Sequence, residues 1–270
     1  RRASGARVVA ITGSAGKTTT KDATAALLAT TCRVVKNHGN LNNHIGLPLS
    51  LLQLRTSPDV AVMELGMNHA GEISRLVAIA EPDARVWTNV GDAHLGFFAS
   101  LDAIADAKAE ILEGADAGTC LVCNADDLRV MTRAAGFTGR TVTFGLAPSA
   151  TVRAVDIDDR GVSGTRARVL TPAGETAIET SLIGRGNLMN VLAAIATALE
   201  FGVPLARVPD VVAGIVPADH RGVVHRLPGG VTVIDDSYNA SPSAVRLALE
   251  TVAGEAHARR RIAVLGEMLE

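Results

Sequence analysis

A glycine-containing segment near the start of the chain has the composition of a phosphate-binding loop. It follows an apolar run and precedes a helical pattern, with the sequence Gly13-Ser-Ala-Gly-Lys-Thr-Thr19. Glycines let the backbone turn tightly and point its N–H groups at anionic oxygens, and a helix start adds partial positive charge. Lys17 could reach the outer phosphates of a nucleotide, and the Thr18 hydroxyl could bind Mg²⁺. Ile11 stands where the common G-x-x-x-x-G-K-[ST] pattern has its first glycine, and the alternative is an ordinary glycine turn. The candidate phosphate-binding residues are Gly13, Ser14, Ala15, Gly16, Lys17, Thr18 and Thr19.

Lys108 is the second residue whose position suggests chemistry. It is one of four lysines in the chain, and it falls on the apolar stripe of a predicted helix from Leu101 to Leu112. Burial lowers the pKa of a lysine, and a neutral amine can react with CO₂ to form a carbamate, an anion that binds Mg²⁺. The alternative is a lysine whose amine extends to the surface, and the helix pattern alone favours that alternative.

Two further candidates follow predicted strands. Glu64 ends one strand, and His94 follows the next strand along the chain, with Asp92 as a competing candidate on the same loop. The carboxyl ends of parallel strands meet at one edge of a sheet, so these side chains would face the phosphate loop, where an acid could hold Mg²⁺. The alternatives are an acid exposed where its strand ends and a structural histidine.

An amide-rich segment from Asn37 to His44 has either of two interpretations. Asparagine favours turns, so the segment could be a plain loop. It could also bind a polar substrate by hydrogen bonds, together with a nearby Asn-His pair. The candidate substrate-binding residues are Asn40, Asn42, Asn43, Asn68 and His69.

Late in the chain, His220-Arg221 and Asp235-Asp236 precede a predicted helix. Arg221 could compensate the charge of a γ-phosphate across a domain interface, and an aspartate at a strand end could bind ribose hydroxyls. A surface arginine and a turn are the alternatives.

The whole chain predicts an α/β fold, a mostly parallel sheet with helices on both faces. Up to residue 145, helical patterns alternate with apolar strand patterns, which lie at Val8–Ile11, Arg33–Val35, Val60–Met63, Val86–Thr88 and Cys120–Val122. Residues 150–183 predict a small antiparallel β patch. Near Ala218 a new unit begins, with strands predicted at Val231–Ile234 and Ile262–Leu265 on either side of a helix. We therefore predict a central domain over residues 1–218 and a partial, Rossmann-like domain over 219–270, and the abrupt ends suggest a fragment.

Composition excludes several classes of function. With a net charge of −2 and 3% aromatic residues, the chain has neither the basic excess nor the stacking surface that nucleic acids require. Three cysteines do not form a disulfide framework, which indicates a reducing compartment. No apolar stretch is long enough to span a membrane, and no signal peptide is visible, so we expect a cytoplasmic protein.

Taken together, these segments resemble the Mur ligases, the ATP-dependent amide-bond formers of peptidoglycan synthesis. The resemblance covers nearly the whole chain and includes the phosphate loop, Glu64, His94 and the helix of Lys108. The segments Gly39–Pro48, Glu64–Ile73 and Asp235–Ala240 are most similar to the branch that adds a D-alanyl-D-alanine dipeptide. The chain departs from the family at two places: Gly186 stands where the family has histidine, and His220-Arg221 stands for its Gly-Arg.

The resemblance implies a reaction and a set of residue roles. The enzyme would phosphorylate the carboxylate of UDP-MurNAc-tripeptide with ATP, and the amine of D-alanyl-D-alanine would attack the acyl phosphate. Thr18 and Glu64 would bind one Mg²⁺, and His94 with an N6-carboxylated Lys108 would support a second. Arg221 would balance charge. The remaining nucleotide contacts would be Asn187, Asn190 and Asp236. A monomer is expected; the alternatives are a folylpolyglutamate-type or other Mur ligase, a phosphotransferase, or a non-catalytic nucleotide-binding fragment.

Overall fold

A nine-stranded sheet dominates the fold in the computed structural model, which describes residues 1, 4–93, 95–255 and 258–268. A separate two-stranded sheet lies near the end of the chain. The strands are β1 (Arg7–Thr12), β2 (Val34–Lys36), β3 (Val60–Glu64), β4 (Ala84–Trp87), β5 (Cys120–Asn124), β6 (Arg140–Gly145), β7 (Val152–Asp159), β8 (Thr165–Thr171), β9 (Gly174–Thr180), β10 (Val223–Leu227) and β11 (Val231–Asp235).

The order of strands in the large sheet is β2-β3-β1-β4-β5-β6-β7-β8-β9. Neighbours from β2 to β7 run parallel, whereas β7, β8 and β9 pair antiparallel. Because β1 lies between β3 and β4, the segments that follow these three strands emerge side by side at one edge of the sheet. That edge carries the phosphate loop, Glu64 and the segment from Thr88 to Asp92.

Helices cover both faces of the large sheet. The helices are α1 (Lys17–Leu28), α2 (Gly46–Leu51), α3 (Glu72–Ala80), α4 (Leu101–Ala109), α5 (Leu128–Ala134), α6 (Arg185–Glu200), α7 (Val208–Ala213) and α8 (Pro242–Ala253). Alternate residues of β1 enter two different hydrophobic cores: Val9 and Ile11 belong to the core of α1 and α6, and Val8 and Ala10 to the core of α3 and α4. The prediction of a mostly parallel sheet covered on both faces is confirmed, because every residue of β1 except Arg7 is buried.

The predicted antiparallel patch is not a separate structure. Strands β7 to β9 pair antiparallel within residues 150–183, as predicted, but β7 also pairs in parallel with β6 and so extends the large sheet. Strand β6 was not among the predicted strands, and it is the element that joins the patch to the rest of the sheet.

The last predicted strand is wrong. Ile262–Leu265 form no strand, and Val264 is 93% exposed. A strand requires a hydrogen-bonded neighbour. Within the described residues, β11 pairs only with β10 in an antiparallel hairpin, and neither strand pairs with this segment. The division of the chain into domains at residue 218 remains a prediction. Among the helices described, none has the length and apolar character that crossing a membrane requires.

Candidate active site

The phosphate loop turns between the end of β1 and the start of α1, and it is tied to the segment that follows β4. The N–H of Ala15 donates to Asn89 Oδ1 at 2.9 Å, and the Thr88 hydroxyl donates to the carbonyl of Ala15 at 2.9 Å. The N–H groups of the first turn of α1 have no acceptor within the helix, so they add to the positive end of its dipole. The loop therefore has the geometry that favours anion binding at a helix start.

Gly16 begins this helix in the left-handed region, with a φ of 81°. A Cβ at this position would lie 2.0 Å from Oδ1 of Asn190, which projects from α6. Only glycine therefore permits both the turn and the close approach of Asn190 to the loop. Asn190 also contacts Asn187, the other asparagine predicted to bind the nucleotide: its Nδ2 donates to Asn187 Oδ1 at 3.1 Å.

This contact yields a test of the loop. Gly16→Ala combines a strained φ with a collision, so we expect it to weaken ADP binding by at least about tenfold, since about 1.4 kcal/mol of strain suffices for that factor. Isothermal titration calorimetry of the variant measures the change. Gly118→Ala is the matched control because a Cβ there meets only the Asp116 carboxylate at 3.4 Å, an ordinary contact distance. Unchanged ADP affinity in Gly16→Ala would contradict the assignment of the loop.

Lys17 folds back over the loop from the first turn of α1. Its Nζ donates to the carbonyl of Gly13 at 2.8 Å and to that of Ser14 at 3.4 Å. The ammonium group is thus held beside the loop where a nucleotide's phosphates would lie.

Glu64 is buried at the end of β3, with 3% of its surface exposed. The Thr18 hydroxyl donates to Glu64 Oε2 at 2.9 Å, and the buried Lys21 ammonium lies 3.8 Å from the same oxygen. Asn42 Nδ2 donates to Oε1 at 2.9 Å. Carboxylate and hydroxyl oxygens are ligands that Mg²⁺ prefers, so the Thr18–Glu64 pair fits that cation.

Lys108 is 1% exposed, so its amine does not extend to the surface. Burial lowers its pKa well below the ordinary value of 10.5, and repulsion from Lys17 lowers it further. Among the described residues, no carboxylate lies within ion-pair distance of Lys108 Nζ. The site therefore holds two lysines close enough to repel each other, an arrangement that favours an anion between them or a neutral Lys108.

The loop after β4 carries the competing candidate Asp92, whereas His94 lies outside the described residues. Asp92 reaches the C-terminal helix: its Oδ2 accepts from the N–H of Ser243 at 3.0 Å, and its Oδ1 accepts from the Ser243 hydroxyl. Negative charge at a helix start is stabilising, so this contact joins the N-terminal turn of α8 to the edge of the large sheet.

A cavity of about 600 Å³ opens between the phosphate loop, the start of α6 and the α8 region. Arg221, Asp236 and Gly16 all line it, and Arg221 stacks over the Tyr238 ring at 4.0 Å. Burial raises the pKa of Asp236, an effect that Arg221 partly offsets. The predicted nucleotide contacts on the cavity wall are Ala15, Gly16, Thr19, Asn187, Asn190, Arg221 and Asp236.

The amide-rich loop has a structural part and an exposed part. Asn42 points inward to Glu64, and Asn43 Oδ1 accepts from the N–H groups of Ile45 and Gly46 at the start of α2. Asn40 is exposed on this loop. The N–H groups of Asn68 and His69 both donate to Glu72 Oε2. The Asn-His pair of the predicted substrate site is therefore also held by hydrogen bonds to the protein.

Sequence reasoning did not select Asn37, Lys21 or Asn89, which also shape the site. Asn37 is buried, and its side chain bonds both backbone groups of Glu64. The rarity of lysine in this chain was a signal for Lys21, which lies one helical turn after Lys17.

Comparison with known proteins identifies the family of this site. The family profile described as "Mur ligase middle domain" matches residues 11–198. The UDP-N-acetylmuramoyl-tripeptide–D-alanyl-D-alanine ligase of Bacillus subtilis is 35% identical over 267 residues, which are 98% of this chain and 57% of that protein. The chain thus spans just over half the length of this curated relative.

Solved structures agree with the sequence match. MurF from Acinetobacter baumannii has a TM-score of 0.87 and 32% identity, covering 92% of this chain and 54% of that one. MurF ligase from Thermotoga maritima, solved in complex with ADP, has a TM-score of 0.83 and 30% identity, covering 92% and 57% of the two chains.

Proposed function

Because this chain belongs to the Mur ligase family, we propose that the protein is an ATP-dependent ligase that adds D-alanyl-D-alanine to UDP-MurNAc-tripeptide. The observation that carries this proposal is the convergence of Lys17, Thr18, Glu64 and Lys108 at one sheet edge, beside a cavity of nucleotide size. Phosphate-binding and oxygen-donor groups in one cleft are what phosphoryl transfer to a carboxylate requires.

The proposed ligation proceeds in two steps, phosphorylation of the carboxylate and attack by the amine. A carboxylate oxygen of the tripeptide attacks the γ-phosphorus of ATP, forming a new P–O bond while the bond to the β-phosphate oxygen breaks and ADP leaves. The amine of the dipeptide then attacks the acyl carbon, a C–N bond forms, the C–O bond to phosphate breaks, and the amine loses a proton. Phosphorylation is needed because an unmodified carboxylate would have to expel oxide.

Each residue of the site contacts a different part of the nucleotide or its cation. The phosphate loop and Lys17 bind the phosphates, and Arg221 balances the charge that moves to the acyl group. Asn187 contacts the adenine and Asp236 contacts the ribose, and Asn190 is a further contact to the nucleotide. Thr18 and Glu64 would hold Mg²⁺, which neutralises charge on the phosphate oxygens.

Lys108 takes part in this proposal as a carbamate. Its lowered pKa supplies the neutral amine, whose nitrogen forms a bond to the carbon of CO₂ with loss of a proton. With His94, the resulting anion would hold a second Mg²⁺ near the substrate carboxylate. Mass spectrometry of the native intact protein should detect an added 44 Da on Lys108, and an unmodified amine under CO₂-saturated conditions would contradict this role.

The wider proposal places the protein in the cytoplasm as a monomer without a nucleic-acid partner. Its domains would be residues 1–218, with the nucleotide site, and 219–270, which contribute Arg221 and Asp236. Asn40, Asn42, Asn43, Asn68 and His69 would belong to the loops that meet the tripeptide nucleotide.

Product analysis tests the function directly. The intact protein should release ADP over many turnovers only when the tripeptide nucleotide and D-alanyl-D-alanine are both present, and the amide product should appear in equal amount. Continued ATP turnover without one of the two substrates, or a phosphorylated product that accumulates over many turnovers while no amine is consumed, would contradict the proposal.

A further inference from the structure

The side chains of Asn37 and Asn42 hold Glu64 from two directions. Asn37 Oδ1 accepts from the N–H of Glu64 at 3.0 Å, and Asn37 Nδ2 donates to the Glu64 carbonyl at 3.2 Å. Asn42 Nδ2 donates to the carboxylate oxygen Oε1 at 2.9 Å. One asparagine therefore fixes the backbone of Glu64, and the other fixes the rotation of its carboxylate.

The segment after Glu64 is shaped to receive Asn42. The N–H of Gly66 donates to the Asn42 carbonyl at 2.9 Å. A Cβ on Gly66 would lie 2.8 Å from Asn42 Cγ and 2.9 Å from Asn42 Nδ2. The Asn42 amide thus lies directly over Gly66, and its position depends on the absence of a side chain there.

This arrangement decides which oxygen of Glu64 is available to a ligand. Oε1 accepts from the Asn42 amide, whereas Oε2 accepts from the Thr18 hydroxyl, an oxygen that could bind the same cation, and lies 3.8 Å from the Lys21 ammonium. An amide N–H donor competes with a cation for its oxygen and cannot bind the cation itself. Asn42 consequently turns Oε2 toward the phosphate loop.

We propose that Asn37 and Asn42 are positioning residues that hold the Glu64 carboxylate in the orientation required for a divalent cation. The inference rests on the proposed function, since it takes Glu64 as a ligand of Mg²⁺. It assigns to the amide-rich loop a task besides contact with substrate: the inward side of that loop organises the cation site. Partners that orient a metal-binding carboxylate typically contribute about 10- to 100-fold to metal affinity.

Two variants disturb Asn42 by independent routes. Asn42→Ala removes the amide, whereas Gly66→Ala keeps it but forces it away from Glu64 by the collision described above. The displaced group is the end of a flexible side chain, so Gly66→Ala leaves the surrounding fold in place. His38→Ala is the matched control, because His38 lies exposed on the same loop.

The measurement is Mn²⁺ binding to the ADP complex of the intact protein, followed by electron paramagnetic resonance. We expect Asn42→Ala and Gly66→Ala to weaken Mn²⁺ binding about tenfold or more, while ADP affinity without metal and the thermal midpoint stay near those of His38→Ala. Wild-type Mn²⁺ affinity in both folded variants would overturn the inference. Glu64→Gln distinguishes failure of this inference from failure of the proposed function. If Glu64→Gln also binds Mn²⁺ normally, the assignment of Glu64 as a cation ligand fails as well.

Discussion

Lys17→Met is expected to lower kcat for ligation by about 10²- to 10³-fold, the usual effect of removing one group that stabilises developing charge. Lys17 Nζ lies within hydrogen-bond distance of the carbonyls of Gly13 and Ser14, so its charge is fixed at the phosphate loop. Methionine keeps the length of the side chain without the charge. The rate of ADP release with both acceptor substrates present measures the loss.

Lys36→Met is the matched control for this experiment. Lys36 carries the same chemical group, but it is partly exposed and pairs with Asp22 at 2.7 Å. An exposed pair of this kind contributes little to stability, so the control should keep nearly full activity. If Lys17→Met and Lys36→Met lower kcat equally, Lys17 has no special role in phosphoryl transfer.

Lys108→Met is expected to abolish ligation while making the protein more stable. Lys108 is buried, and burial disfavours its charged amine at a cost on the order of 1 kcal/mol or more, which the uncharged methionine avoids. In a CO₂-free buffer the free energy of unfolding should therefore rise by about that amount, as residues kept for function often lower stability. Denaturant unfolding and the ADP-release assay measure the two effects.

The difference in free energy of unfolding between Lys108→Met and the wild-type protein should shrink as the pH rises. Because burial lowers the pKa of Lys108 in the folded protein, the unfolded chain binds the extra proton up to its ordinary pKa of 10.5. The wild-type protein therefore gains stability relative to Lys108→Met as the pH rises toward 10.5, and the advantage of the variant shrinks. An advantage that grows with pH, or a variant that is less stable at neutral pH, would show that the Lys108 amine is well accommodated when charged.

Periodicity was sufficient to predict the elements that position the site. The two-sided apolar runs at Val8–Ile11 and Val60–Met63 predicted buried parallel strands, and the structure has β1 and β3 there. The stripe that includes Lys108 likewise predicted that it lies on the apolar face of α4, but the surface-reaching amine that this pattern favoured is wrong, because the side chain is buried. In both cases the information is local, since burial imposes a pattern on neighbouring residues.

Properties that depend on distant neighbours could not be predicted in the same way. Ile262–Leu265 has the composition of a strand, but strand formation requires a partner that the described residues do not provide. The amide-rich sequence predicted that this loop forms hydrogen bonds. No neighbouring residue, however, indicates that the Asn42 side chain turns toward Glu64 instead of toward solvent. Asn37 was missed for the same reason, because its partner lies 27 positions later in the chain.

The residues that line the cavity come from distant parts of the sequence, and this has a consequence for how the chain folds. Its lining runs from Ala15 to Gly254, so the two sides of the cavity are far apart in sequence and meet only when long-range contacts have formed. Part of the junction depends on the bond between Asp92 and the first turn of α8. A partly folded chain lacks the complete cavity, and any ligand that occupies it shifts the population toward the native state by mass action.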